Sequence, residues 1–380
     1  MASPAVLTQE PCRFEVAHVL RDHAHGLRLT AVQSRAVRDI VACRSERLGG
    51  HLEQCPDCGF SRGSYNSCRN RHCPKCQILK QELWAEAQEA LLLPTLYFQI
   101  VFTIPSQLHA FFRRAPELCL TLLFEAASET LTQIARTKLK ATIGFSAVLH
   151  TWNQQLGFHP HLHCVVPAGG LSLEAPSRWV ATSRRFFLPL KQLRTVFRGK
   201  LLSKIERALR SGEILGDLAA DLDSLRRTPK QWNVYAKPPL TGPSHVVRYL
   251  SRYVHRIAIT NSRITDYDGK SVTVRYKDRP DGNATKSRTV SGPDFARLFL
   301  QHVLPPRFVR IRHYGFLAAR RRKDLERCRE LLGAQPASSP HKDASWVVAF
   351  ERLFGANPLQ CPACKTGVLV VTRVLPPSRA

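Results

Sequence analysis

Seven of the twelve cysteines lie before residue 80, at a spacing that leaves few folds open to that part of the chain. In order it reads Cys43, His51, Cys55-Pro-Asp-Cys58, Cys68, His72 and Cys73-Pro-Lys-Cys76. A C-x-x-C knuckle sets two thiolates on one tetrahedral ion, and two knuckles this close together point to zinc. The residues divide in one of two ways: a single four-cysteine site with spare residues, or two sites of four ligands each, hence one or two ions. The first residues carry no basic segment followed by an apolar one. A secretory signal is therefore not expected, and metal or free thiols are favoured over disulfides. Arg69, Arg71 and Lys75 alternate with the ligands. A metal-pinned loop presenting such charge suits a DNA backbone or base edge, against the plainer reading of a structural clip. Cys361-Pro-Ala-Cys364 is half of a further site, with Cys328 and His341 the nearest upstream partners. Closure on another part of the chain, or a simple reduced pair, are the alternatives.

The stretch His159-Pro160-His161-Leu162-His163-Cys164-Val165-Val166 carries the second constraint. Successive side chains of a strand point to opposite faces, so His161 and His163 share a face while Leu162 enters the packing layer. Two imidazoles so placed can share one divalent cation, whose open position would polarise a phosphoryl oxygen. Two surface histidines on a half-exposed strand are the bland alternative. Downstream, Pro243 and Ser244 suit a helix start, and Tyr249 and Tyr253 at i and i+4 then project from one face. Arg248, Arg252 and Arg256 run beside them as a basic stripe. A phenol among arginines ionises at lower cost and becomes a candidate nucleophile; packing on a sheet with wet hydroxyls is the competing reading.

Together these stretches resemble the HUH endonuclease superfamily, in which U is a hydrophobic residue. Within it they look most like the two-tyrosine transposases of the insertion sequence ninety-one family, which move by rolling-circle transposition. The matching residues are His161-Leu162-His163, the pair Tyr249 and Tyr253 with its Val-His-Arg tail, and the N-terminal cysteine cluster. The resemblance covers most of the chain in the expected order. It implies an α+β fold: an N-terminal helical zinc-binding domain that recognises the element's ends, then an HUH-type palm domain, an antiparallel sheet with helices. It implies a catalytic Mg or Mn ion on His161 and His163, and single-stranded DNA, element ends and target, as partner. Tyr249 or Tyr253 would attack that strand and form a 5′-phosphotyrosine. A third metal ligand is implied but not singled out: His150 stands across the hairpin from the pair, while Gln154 and His159 sit nearer the turn.

Charge agrees with a nucleic-acid partner. Lys and Arg number 56 against 29 acidic residues, a formal charge of +27 spread through the chain, which suggests an extended track for a polyanion. Hydrophobic content of 44% fits a soluble globular protein, and no apolar run reaches the length a bilayer demands. No membrane partner is expected, and the resemblance implies the bacterial cytoplasm or nucleoid as the expected place of action. No G-x-x-x-x-G-K-[ST] loop is present, consistent with a covalent intermediate that conserves the phosphodiester's energy without ATP. Two rival readings remain: a relaxase or rolling-circle replication initiator, and a non-catalytic zinc-dependent DNA-binding regulator.

The chain divides into residues 1–93 for zinc binding and DNA recognition, 94–335 for catalysis, and 336–380 as a tail with its own knuckle. Periodicity predicts helices over 13–42, 78–93, 117–140 and 295–303. Strands are predicted over 97–104, 145–152, 159–167, 232–236 and 307–312, with a hairpin around Asp268-Gly269. The charged helical residues 188–230 read as a spacer between the two halves of the active site, and 375–380 as a disordered end.

Overall fold

The computed structural model describes residues 13–89, 91–183, 188–214, 219–227, 232–240, 258–334 and 345–378. It begins with helices α1 (Val16–His23) and α2 (Ala31–Ala42). Thr30 Oγ1 accepts from the Gln33 amide at 3.3 Å and the Thr30 amide donates to the Gln33 side chain at 2.9 Å, a capping box that fixes where α2 starts. A hairpin of β1 (Gly50–Gln54) and β2 (Ser61–Tyr65) follows, turned by the Cys55–Cys58 knuckle, and then helix α3 (Ile78–Glu89).

From β3 (Tyr97–Thr103) the chain runs through α4 (His109–Arg114) and α5 (Pro116–Ile134) to the short β4 (Ala141–Thr142). The hairpin β5 (Phe145–Trp152) and β6 (Phe158–Pro167) comes next, followed by β7 (Gly169–Ser172) and β8 (Trp179–Ala181), which pair with β4 as a side sheet. Helices α6 (Leu190–Arg210) and α7 (Ala219–Arg227) lead to β9 (Asn233–Leu240). A separate three-stranded sheet consists of β10 (Ile264–Tyr267), β11 (Ser271–Asp278) and β12 (Ala284–Ser291), and leads into α8 (Gly292–Leu300). Then β13 (Ile311–Tyr314) returns to the main sheet, antiparallel throughout, in the order β13-β5-β6-β3-β9. The last elements are α9 (Arg322–Leu331), α10 (Trp346–Phe354) and β14 (Val370–Leu375), which pairs with β1. The class is mixed helix and antiparallel sheet, as the resemblance implies.

Strand alternation gives the main sheet one thoroughly apolar face. Phe98, Ile100, Phe102, Leu149, Leu162 and Cys164 meet α5 and α6 there. Residues 190–210 are therefore no spacer: Leu193, Phe197, Leu201 and Ile205 of α6 are fully buried on the sheet. Their charged neighbours face outward or pair at the rim, as Lys204 does with Glu125 at 2.9 Å and Glu129 at 2.8 Å on α5. On the opposite face Tyr97, Val148 and Val165 pack with Trp84 and Leu92, and the other end is left to Gln99, His150, His161 and His163.

Two further departures have local causes. β13 begins four residues later than the pattern suggests, because Arg307 takes a left-handed φ of 58° and the Phe308 amide closes a turn onto Pro305. β12 carries no apolar alternation, since nearly all of its side chains are exposed. A second core joins Val16, Leu20 and Ile40 of the N-terminal helices to Val272, Val274, Phe295 and Phe299, so residues 258–303 pack with the start of the chain.

Candidate active site

The β5–β6 hairpin sets His150 directly opposite His161, and the two-residue step along β6 brings His163 to the same face. Ring centroids lie 5.3 Å apart for His150 and His161, 4.5 Å for His150 and His163, and 4.8 Å for His161 and His163. One nitrogen from each ring lies within 4.8 Å of the other two. His150 and His163 are buried and Trp152 stacks on His150 at 4.6 Å, while His161 is half-buried.

Hydrogen bonding orients these rings. His161 Nδ1 lies 2.6 Å from the His159 carbonyl, which can only accept, so Nδ1 carries the proton and Nε2 keeps its lone pair. The Gln99 side-chain amide sits 2.5 Å from His163 Nδ1. Burial holds His161 at about 3, and burial, helped by the charges of His150 and His161, pushes His163 well below its usual value. Both are neutral at pH 7, the form a metal ligand needs. Lys237 of β9, opposite Gln99 on β3, and Arg279, just past the end of β11, both add positive charge near His163. Lys237 is itself depressed by burial and then by Arg279. Three imidazoles converging on one point fit a divalent transition ion.

The cysteines sort themselves into two groups. Cys43, Cys68, Cys73 and Cys76 converge, with Cys68 and Cys76 sulfurs 3.7 Å apart and the Cys68 amide donating to Cys43 Sγ at 3.4 Å. Cys55 and Cys58 lie apart from them and face Cys361 and Cys364. The two histidines expected among the ligands belong to neither group. His51 Nε2 is taken up by Glu53 at 3.0 Å. His72 is buried, Nδ1 3.2 Å from Asn70 Oδ1 and Nε2 accepting from the Leu304 amide at 3.2 Å. Thiolates alone thus make up the donor sets.

Among the expected DNA contacts, Arg69 is exposed at φ 54°, but Arg71 is committed inward, donating to the Phe308 and Pro305 carbonyls at 2.6 and 2.7 Å. Cys328 is not near Cys361; it sits among Leu93, Phe316 and Leu325, where burial pushes its thiol up to about 12. Tyr249, Tyr253, Arg248, Arg252, Arg256 and His341 lie outside the described residues. His150 was readable as a cross-strand candidate, but choosing it over Gln154 and His159 needed the register of the hairpin. Gln99 and Lys237 gave no sequence signal, because which strands flank β6 is a matter of topology.

The family described as "Putative transposase" matches residues 144–324, and the one described as "Transposase zinc-binding domain" matches residues 16–104. The class is a transposase with an N-terminal zinc-binding domain, and its partner is DNA. The chain is 42% identical to "Putative transposase y4qJ" of Sinorhizobium fredii over 95% of each chain. It is 28% identical to "Transposase for insertion sequence element IS801" of Pseudomonas savastanoi pv. phaseolicola, over 80% of this chain and 74% of that one. The chain belongs to the insertion sequence ninety-one family of transposases. No solved structure matches it. Among the described residues no helix is long and apolar enough to cross a membrane.

Proposed function

We propose that this transposase nicks and rejoins single-stranded DNA at the histidine face of the main sheet, with Tyr249 or Tyr253 as nucleophile. The convergence of His150, His161 and His163 carries the reading. These three are the proposed ligands of a divalent ion, which when bound neutralises charge on the scissile phosphate. All-imidazole donors suit Mn²⁺ better than Mg²⁺, which prefers oxygen. Gln99 fixes the His163 ring; with its carbonyl oxygen toward Nδ1 it would accept that proton and leave Nε2 for the ion. Lys237 and Arg279 hold the strand's phosphates beside the site.

The phenolic oxygen bonds to phosphorus as the bond to the 3′ oxygen breaks. The phenolic proton balances the departing 3′ oxygen, which leaves as a hydroxyl, and the 5′ phosphate stays on tyrosine. Attack by a 3′ hydroxyl reverses the step, so joining needs no ATP. Two tyrosines permit two successive transfers, one holding a donor end while the other acts on a second end or target. Cys43, Cys68, Cys73 and Cys76 would hold zinc and shape the loop bearing Arg69, which reads the element's ends.

The test is incubation of the full chain with a single-stranded oligonucleotide carrying an element end, plus Mn²⁺. A covalent, protease-sensitive adduct is expected, lost both in Tyr249→Phe/Tyr253→Phe and in His161→Ala. Salt-sensitive binding without any adduct would refute the nuclease and support a DNA-binding regulator.

A further inference from the structure

We propose that Cys55, Cys58, Cys361 and Cys364 form a second, independent zinc centre that fastens the C-terminal segment onto the N-terminal domain. The two knuckles are built alike. Cys55 accepts at its carbonyl from the Gly59 amide at 3.0 Å, and Cys361 does the same from the Lys365 amide at 3.1 Å. Each turn ends on a left-handed residue, Gly59 at φ 74° and Lys365 at φ 63°. Each first cysteine donates its amide across its own loop at 2.8 Å, Cys55 to Phe60 and Cys361 to Gly367.

The sulfurs then face one another in crossed pairs, Cys55 with Cys364 at 3.8 Å and Cys58 with Cys361 at 3.6 Å. Zinc–sulfur bonds of about 2.3 Å in a tetrahedron require sulfurs roughly 3.8 Å apart. A disulfide requires about 2.0 Å, which neither pair approaches. The Gly367 amide donates to Cys364 Sγ at 3.3 Å, as backbone amides do to metal-bound thiolates. Gly367 also has no room for a side chain, since a Cβ there would run into Cys55 Sγ and Asp57.

Three contacts around the centre show that the segment is seated rather than draped. β14 pairs with β1 from Gly50 opposite Leu375 to Gln54 opposite Val370. Arg352 of α10 meets Glu86 of α3 at 2.7 Å, and Arg62 of β2 donates to the Pro358 carbonyl at 3.0 Å. An ion joining knuckles so far apart in sequence closes a very long loop and couples metal affinity to the docking of the whole segment.

Zinc content decides the matter. Native mass spectrometry of the full chain, purified without chelator, should show one zinc fewer in Cys361→Ser/Cys364→Ser than in the unaltered protein. Amide exchange of β1 and β14 should rise in that variant while α1 and α2 stay protected. Equal zinc content, or a Cys361–Cys364 disulfide in the unaltered protein, would overturn the proposal. Should the variant fail to fold, cobalt loading of the unaltered protein still decides. Thiolate-to-cobalt charge transfer equivalent to eight bonds per chain supports two four-thiolate centres, and four bonds refutes the second.

Discussion

His161 and His163 announced themselves in the sequence because a step of two along a strand is the shortest way to place two rings on one face. His150 needed the register, and Gln99 needed the neighbouring strand, neither of which periodicity can supply. If Gln99 orients His163 as proposed, Gln99→Leu should raise the Mn²⁺ concentration needed for nicking by about 10- to 100-fold. Nicking assayed across an Mn²⁺ titration checks this, and an unshifted curve rules the role out. His302 makes a different prediction. It is buried, bonded to the Leu156 carbonyl at 2.9 Å and to Thr151 at 3.1 Å, and burial holds it at about 4, below the ordinary 6.5. As pH falls the unfolded chain takes up that proton first. The contribution of His302 is therefore complete above about pH 6.5 and is lost toward about pH 4. His302→Gln should flatten this part of the dependence of Tm on pH; a slope equal to that of the unaltered protein would count against it.

Among the elements, the strands flanking the site were legible because buried β-branched and aromatic runs have few other uses. α6 was legible as a helix with apolar positions at helical spacing, but its place was misjudged, since such a stripe does not say which surface it covers. The Phe197 ring lies 4.9 Å from Phe102 and 5.7 Å from Trp232, deep between α6 and the sheet. Phe197→Ala should cost about 3–5 kcal/mol, whereas Lys204→Ala, at the rim of the same helix, should cost under about 1 kcal/mol. Urea unfolding of both variants provides the check, and similar losses would mean that α6 is held by its charges. β12 was invisible for the opposite reason: it pairs with β11 through backbone and through exposed polar side chains such as Thr273 with Thr289 and Lys286 with Asp278, which leave no apolar pattern to read.

Over the whole molecule, the charge of +27 requires DNA affinity to fall steeply with salt. Arg279, whose field reaches His159, His161, His163 and Lys237, should account for one unit of that dependence. Arg279→Ala is expected to lower the slope of log affinity against log salt by about 1 without altering sequence preference. An unchanged slope would remove it from the DNA path. The net charge was visible from the start, but not the return of residues 345–378 to the N-terminal domain, because a two-cysteine fragment does not name its complement. That return has a bearing on biosynthesis. Cys361 leaves the ribosome 303 residues after Cys58, so the proposed second centre cannot close until that much more chain has been made. A copy cut short before Cys361 would leave Cys55 and Cys58 facing no second knuckle, and the proposed centre would lose half of its sulfurs.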